Sequence, residues 1–78
     1  MSTVVEDVIN IDPEILGGTP VFYGTRVPIQ SLFDWLETET LDEFLENFPS
    51  VKREQAIEVL HIAEGLITSP KILNEAFA

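Results

Sequence analysis

The segment from residue 17 to residue 30, GGTPVFYGTRVPIQ, constrains the fold of this chain more than any other feature. It contains three of the four glycines and two of the five prolines. Glycine adopts positive φ without steric cost, whereas proline fixes φ and removes a backbone N–H donor. We interpret the segment as a series of tight turns between short strands, in which Pro28 ends the last strand and begins a helix.

Two short strands are predicted next to these turns. Residues 8–12, VINID, alternate in polarity, and residues 20–23, PVFY, are rich in aromatic and β-branched side chains. Residues 24–25, Gly-Thr, predict a two-residue type II′ hairpin turn, with residues 26–27 as the returning strand. Between the strands, residues 13–18, PEILGG, fit one helical turn that is closed by glycine.

Apolar residues at helical spacing predict three helices after Pro28. The apolar face of the first helix consists of Ile29, Leu32, Phe33 and Leu36. Thr40 and Glu43 form a capping box at the start of the second helix, and Pro49 ends that helix. Ser50 is the expected N-cap of the third helix, whose apolar face consists of Ala56, Ile57, Leu60, Ala63 and Ile67.

These patterns predict one mainly α-helical domain over residues 1–78. It comprises a β arm or hairpin at residues 8–27, a three-helix core at residues 28–67 and a tail helix at residues 69–78. Only FPS, residues 48–50, joins the second and third helices. So short a connection holds two helices at an angle, as in helix-turn-helix units.

The charge balance favours a protein partner over nucleic acid. Fourteen acidic residues against four basic ones give a net charge of −10, which repels nucleic acids and anionic membranes at long range. No apolar run approaches the roughly 18–20 residues that a membrane span needs, and the N-terminal residues lack the features of a secretory signal. We therefore expect a cytoplasmic protein whose partner is basic.

No catalytic, metal or phosphate site is predicted. The chain has no cysteine and one histidine, His61, which lies between Glu58 and Glu64. A single Glu-x-x-His motif cannot build a di-iron site. Gly17 and Gly18 lack the following lysine and the further glycines of nucleotide-binding loops. We expect no enzyme activity, no cofactor and no metal.

Arg26 and Trp35 are candidates for contacts with a partner. Arg26 is the only basic residue before Lys52. It pairs with a nearby acid such as Asp12, stacks on Tyr23, or is offered to the carboxylates of a partner. Trp35 lies at the edge of its apolar face, where it belongs either to the core or to a subunit interface.

The candidates for DNA binding are Lys52, Arg53 and Gln55. They lie in the first turns of the helix after FPS, where helix-turn-helix proteins contact bases and phosphates. Glu54 and Glu58 interrupt this patch, and two cations near the start of a helix oppose its dipole. These two features argue against direct DNA readout.

Apolar side chains left over from the three-helix core predict a dimer. They are Trp35, Phe48, Leu66, Ile67, Ile72, Leu73 and Phe77. A monomer would expose much of this surface, and apolar patches beyond a few hundred Å² are unusual on monomers. We expect a two-fold homodimer in which the N-terminal strands, the tail helix or both cover the partner subunit. The tail residues Ile72, Leu73 and Phe77 are therefore candidates for partner contacts.

Two stretches of the sequence resemble the family called domain of unknown function 433. They are INIDPEILGGTPVFYGTRVPIQSLFDWLE and FLENFPSVKREQAIEVLHIAE, which together cover about residues 9–65. The matching motif residues are Asp12, Pro13, Gly17, Gly18, Pro20, Gly24, Thr25, Arg26 and Pro28. The resemblance implies a homeodomain-like three-helix domain with an N-terminal β arm and a tendency to dimerise.

The same resemblance implies an antitoxin role, because members of the family are often paired with a PIN-type nuclease toxin. An acidic surface could occupy the basic rim that a nuclease presents to RNA. The Mg²⁺-binding centre of such a nuclease is itself acidic, so a cation is needed there, and Arg26 or Arg53 is the candidate. The alternative function is a helix-turn-helix transcriptional regulator that binds DNA as a dimer through residues 51–65.

Overall fold

The strands and helices occur in the predicted order, with two strands before three helices. The computed structural model describes residues 5–71 and residue 74. In this part of the chain the elements are β1 (Ile9–Asn10), β2 (Val21–Phe22), α1 (Ile29–Leu36), α2 (Leu41–Asn47) and α3 (Arg53–Ile67). The prediction of a mainly α-helical fold with a short β element is confirmed. Most of the predicted tail helix lies outside the described residues.

The two strands form a small antiparallel sheet and are shorter than predicted. Ile9 lies opposite Phe22 in the ladder, and Asn10 lies opposite Val21. The ladder ends after Asn10 because the chain turns at Asp12, whose carboxylate accepts a hydrogen bond from the Glu14 N–H at 2.9 Å. This local bond replaces a longer strand with a turn, as aspartate followed by proline favours.

The turn after β2 spans residues 22–25, one residue earlier than predicted. The Phe22 carbonyl accepts the Thr25 N–H at 3.0 Å, and Gly24 has φ +79° at the third position. Positive φ at that position is typical of a type II turn, not of the predicted type II′ turn. The Thr25 hydroxyl donates to the Phe22 carbonyl and accepts from the Val27 N–H. The predicted returning strand is reduced to a single bridge between Val21 and Pro28.

The Gly-Gly segment forms a left-handed turn instead of the predicted helical turn. Leu16, Gly17 and Gly18 have φ values of +48°, +65° and +93°. The Gly18 N–H donates to the Ile15 carbonyl, and the Thr19 N–H donates to the Leu16 carbonyl. Two overlapping turns with positive φ are the geometry that glycine adopts without strain. This confirms that the glycines serve tight turns.

Gly17→Ala and Gly65→Ala are expected to change stability in opposite directions. In the described part of the chain, no atom beyond the local backbone lies within 4 Å of a Cβ added at either position. The two sites differ in backbone conformation, because Gly17 has φ +65° and Gly65 lies within α3. We expect Gly17→Ala to lower the free energy of unfolding by about 1 kcal/mol and Gly65→Ala to raise it by roughly 0.5–1 kcal/mol.

Thermal unfolding measures this pair of variants directly. For a domain of this size, about 1 kcal/mol corresponds to a shift of roughly 4–8 °C in Tm. Shifts of the same sign in both variants would contradict the left-handed turn.

The boundaries of α2 and α3 show which predicted caps form. The prediction that Thr40 caps α2 is confirmed, since its hydroxyl accepts the Glu43 N–H at 3.2 Å. The reciprocal bond of a capping box is not formed, because the Glu43 carboxylate accepts the Thr40 hydroxyl at 3.2 Å instead of the Thr40 N–H. The third helix begins at Arg53, after the N-cap residue Lys52, so the prediction that Ser50 is the N-cap is wrong. The reason is Val51, which is buried in the core and whose N–H donates to the Phe48 carbonyl in a turn before α3.

The core lies where the sheet and the three helices meet. Its buried side chains are Val8, Val21, Phe22, Leu32, Phe44, Val51, Ala56 and Val59. Three residues that the sequence placed on buried faces are exposed: Phe33 by 39%, Ile57 by 37% and Ile67 by 65%. The most buried positions of their helices are instead Leu32 in α1 and Ala56 and Val59 in α3.

Candidate functional site

Gln55 joins the hairpin turn to the start of α3. Its side-chain Oε1 accepts the Lys52 N–H at 2.9 Å, and its Nε2 donates to the Tyr23 carbonyl at 3.0 Å. Both ends of this amide are therefore engaged within the chain. The contact joins the hairpin turn, which is followed by Arg26, to the helix start that carries Lys52.

The other two candidates for DNA contacts are both exposed at the start of α3. The Arg53 guanidinium forms an ion pair with the Asp42 carboxylate of α2. Lys52 makes no side-chain hydrogen bond or ion pair in the described part of the chain. To read DNA, Gln55 and Arg53 would have to leave their present partners, which leaves Lys52 as the available cation of this group.

The Arg26 side chain is exposed in the loop between β2 and α1. Within residues 5–71, neither the expected ion pair with Asp12 nor the expected stacking on Tyr23 is present. Asp12 instead accepts a hydrogen bond from the Glu14 N–H. The structure thus presents the Arg26 guanidinium to solvent, where a partner can reach it.

Trp35 belongs to an aromatic cluster at the core. Its ring meets that of Phe48 edge-on, with centroids 5.6 Å apart, and Phe48 lies 4.8 Å from Phe44. Phe44 in turn lies 6.1 Å from Phe22 of β2. The Trp35 side chain is half-buried, and its Nε1 has no hydrogen-bond partner among the described residues. This placement favours the core role; an interface role for its exposed edge stays a prediction.

A surface depression of about 310 Å³ lies between the segment before β2 and α1. The residues that line it are Thr19, Pro20, Ile29, Gln30 and Phe33, and we call it the Pro20–Phe33 depression. This site was not predicted from the sequence, because Phe33 was expected on the buried face of α1. The available signal was that Leu32 and Phe33 are adjacent, so that they differ by about 100° in direction around the helix and lie at different parts of the apolar face.

The C-terminal end of α3 carries a second apolar surface. Ala56, Leu60, Ala63 and Ile67 are spaced so that they share one face of this helix. The first half of that face is covered, since Ala56 is fully buried, but Ile67 is 65% exposed and its neighbour Leu66 is 57% exposed. The apolar face of α3 therefore continues beyond the core, and at the end of the helix no described residue buries it. The predicted contact residues Ile72, Leu73 and Phe77 lie outside those residues.

The acidic side chains cluster at the start of α2. The pKa of Glu39 lies above its ordinary value. The main cause is a side-chain hydrogen bond with Glu43, and the negative charge of Glu43 is the second cause. Such crowding of like charges favours a cationic partner. Within residues 5–71 and 74, no group of three or more potential ligands is placed to hold a metal ion.

None of the described helices is long and apolar enough to span a bilayer.

Comparison with known proteins identifies the fold and its family. A family model described as "Protein of unknown function (DUF433)" matches residues 9–63. The crystal structure of a DUF433 member protein from Anabaena variabilis is similar, with a TM-score of 0.63 and 23% sequence identity. The match covers 92% of this chain and 69% of that chain. No curated protein matches the sequence.

Proposed function

The chain belongs to the DUF433 family, whose function is unknown, and we propose that it is a small cytoplasmic antitoxin-like protein that binds and neutralises a PIN-type nuclease toxin. The observation that carries this proposal is the exposed Arg26 guanidinium, which has no ion-pair partner among residues 5–71. It projects from a chain with a net charge of −10. An accessible guanidinium on an acidic surface suits a partner with an acidic centre inside a basic rim.

The chemistry of a nuclease centre explains why the cation matters. Mg²⁺ is held mainly by carboxylates in such centres, and a guanidinium forms paired hydrogen bonds to carboxylates. Of the two arginines that the sequence offered for this role, Arg53 is engaged with Asp42. Arg26 is therefore the residue that we assign to the acidic centre of the partner, while the surrounding acids face the basic rim.

Arg26→Ala is expected to weaken binding of the nuclease encoded by the adjacent gene by about 30-fold. Truncating one partner of an interfacial charge pair costs roughly 2 kcal/mol or more, which corresponds to that factor in Kd. Lys71→Ala removes the same charge from an exposed residue beyond α3 and is expected to leave Kd within about threefold. Calorimetric titration of the purified nuclease measures both values.

The salt dependence gives a further check on the same complex. The association rate is expected to fall as ionic strength rises, because attraction between the acidic surface and the basic rim is screened. The proposal is wrong if the wild-type chain neither binds nor inhibits the nuclease, or if Arg26→Ala and Lys71→Ala bind equally well.

The alternative is a homeodomain-like helix-turn-helix regulator that binds DNA as a dimer. An antitoxin that regulates its own operon would use the same DNA contacts. The observation in its favour is that Gln55 brings the loop of Arg26 beside the helix start of Lys52. A further variant, Lys52→Ala, separates the two functions, because it would lower affinity for every DNA sequence and flatten the salt dependence. Absence of a mobility shift with the promoter DNA at about 50 mM salt would exclude this alternative.

We further propose that the protein acts as a homodimer through the C-terminal end of α3. Leu66 and Ile67 are among the most exposed large apolar side chains of the described residues. A second copy fits this surface because the exposed residues continue the face that Ala56 begins in the core. Two α3 ends related by a two-fold axis would cover each other with the same residues.

A further inference from the structure

We propose that the Pro20–Phe33 depression receives an apolar anchor side chain from a basic amphipathic segment of a protein partner. The inference rests on the proposed function only in taking the nuclease as that partner. Three properties of the depression carry it: its apolar lining, the charge of its surroundings and the backbone conformation of the turn beside it.

The lining of the depression is suited to a bulky apolar side chain. Pro20, Ile29 and Phe33 supply its apolar surface, and Thr19 and Gln30 supply polar groups. Phe33 remains 39% exposed in the chain alone. A volume of about 310 Å³ lies at the lower end of the roughly 300–1,000 Å³ found for ligand pockets. Burying the exposed part of Phe33 against an anchor residue would remove apolar surface from water, which favours binding.

The charge around the depression selects a basic segment. Gln30, Phe33, Asp34 and residue 37, a glutamate, are spaced so that they share the outer face of α1. All four are exposed. Arg26, in the loop before α1, is the only lysine or arginine within residues 11–51. Asp34 lies in the last turn of α1 and Glu37 follows that helix, so these two carboxylates outnumber that single cation. Flanking cations on the anchor segment would complement them.

The turn beside the depression holds an apolar side chain at an unfavourable backbone conformation. Leu16 has φ +48° although it is not glycine, and its side chain is 47% exposed. Its carbonyl accepts hydrogen bonds from both the N–H and the hydroxyl of Thr19, a residue that lines the depression. Strain of this kind is frequent at binding sites, and here it displays a leucine next to the proposed anchor site.

A synthetic peptide tests the depression without the nuclease. The probe alternates Lys-Arg and Leu-Leu pairs, and two controls replace either the basic residues by Glu or the Leu residues by Ser. Titration into the isotope-labelled full chain is expected to shift the amide resonances of Thr19, Gln30 and Phe33 with the basic peptide only. Phe33→Asp is expected to weaken this binding at least tenfold, whereas Tyr23→Asp, at an aromatic residue that is 56% exposed on the hairpin turn, leaves it within twofold.

The outcomes separate this inference from the proposed function. Resonance shifts confined to other residues, or equal peptide affinity of the wild-type chain and Phe33→Asp, would overturn the inference. Nuclease binding that Phe33→Asp does not weaken would also overturn it, while the antitoxin proposal would stand. If the peptide binds at the depression but the nuclease does not bind the wild-type chain, the site is supported and the antitoxin proposal fails.

Discussion

Phe44→Ala is expected to lower the free energy of unfolding by about 3–5 kcal/mol, which is most of the stability of a domain this small. Phe44 is fully buried. Its ring lies between Phe22 of the sheet and Phe48 at the end of α2. Removing it would leave a cavity that the three surrounding elements cannot close, because each is held by its own backbone hydrogen bonds.

Phe33→Ala provides the matched control for this variant. It makes the same chemical change in a side chain that is 39% exposed, and we expect it to cost less than about 1.5 kcal/mol because less apolar surface is lost from the core. Urea unfolding at one fixed protein concentration measures both, since dimer formation makes stability depend on concentration. The fluorescence of Trp35, the single tryptophan, reports on the aromatic cluster. Equal destabilisation by the two variants would contradict the assignment of Phe44 to the centre of the core.

Ile67→Glu is expected to weaken the proposed dimer by at least about 100-fold and to yield a monomer at micromolar concentrations. In a two-fold interface each substitution occurs twice, and burying a carboxylate without a partner costs several kcal/mol. Ile11→Glu is the matched control, because Ile11 is 64% exposed and Ile67 is 65% exposed. The same change at Ile11 leaves α3 intact.

Analytical ultracentrifugation distinguishes the outcomes. The wild-type dimer is expected to become tighter as salt increases, because two subunits that each carry −10 repel each other and salt screens this repulsion. Binding of the proposed basic partner is expected to weaken as salt increases. A wild-type monomer of about 8.7 kDa would refute the dimer. Dissociation by Ile11→Glu but not by Ile67→Glu would place the interface on the β arm instead.

The sequence predicted well those features that depend on a few neighbouring residues. The N-cap of α2 formed at Thr40 as expected, because its hydroxyl and the Glu43 N–H that it accepts lie within one helical turn. Positive φ at the glycines of the two turns followed from the absence of a Cβ atom. The order of strands and helices followed from local periodicity, and the net charge required no structure at all.

Packing between elements changed the predictions that depended on burial. Leu32 and Phe33 are both apolar and adjacent, but in the folded chain Leu32 is buried in the core while Phe33 lines the depression together with Pro20. The start of α3 moved from Ser50 to Arg53 because Val51 is buried in the core. The hydrophobicity of a residue does not determine which neighbouring element, if any, will bury it.

By itself, the sequence determined the positions of positive φ at the glycines, the helical periods and the acidic charge, because local sterics, side-chain spacing and ionisation are properties of short segments. The tertiary structure alone decided which polar groups are engaged within the chain. The Gln55 side chain donates a hydrogen bond to the Tyr23 carbonyl, 32 residues away along the chain, and Arg53 forms an ion pair with Asp42 on another helix. Arg26 forms no ion pair with a carboxylate among residues 5–71. Such contacts depend on how separate elements are brought together in space, and spacing along the chain does not specify that arrangement.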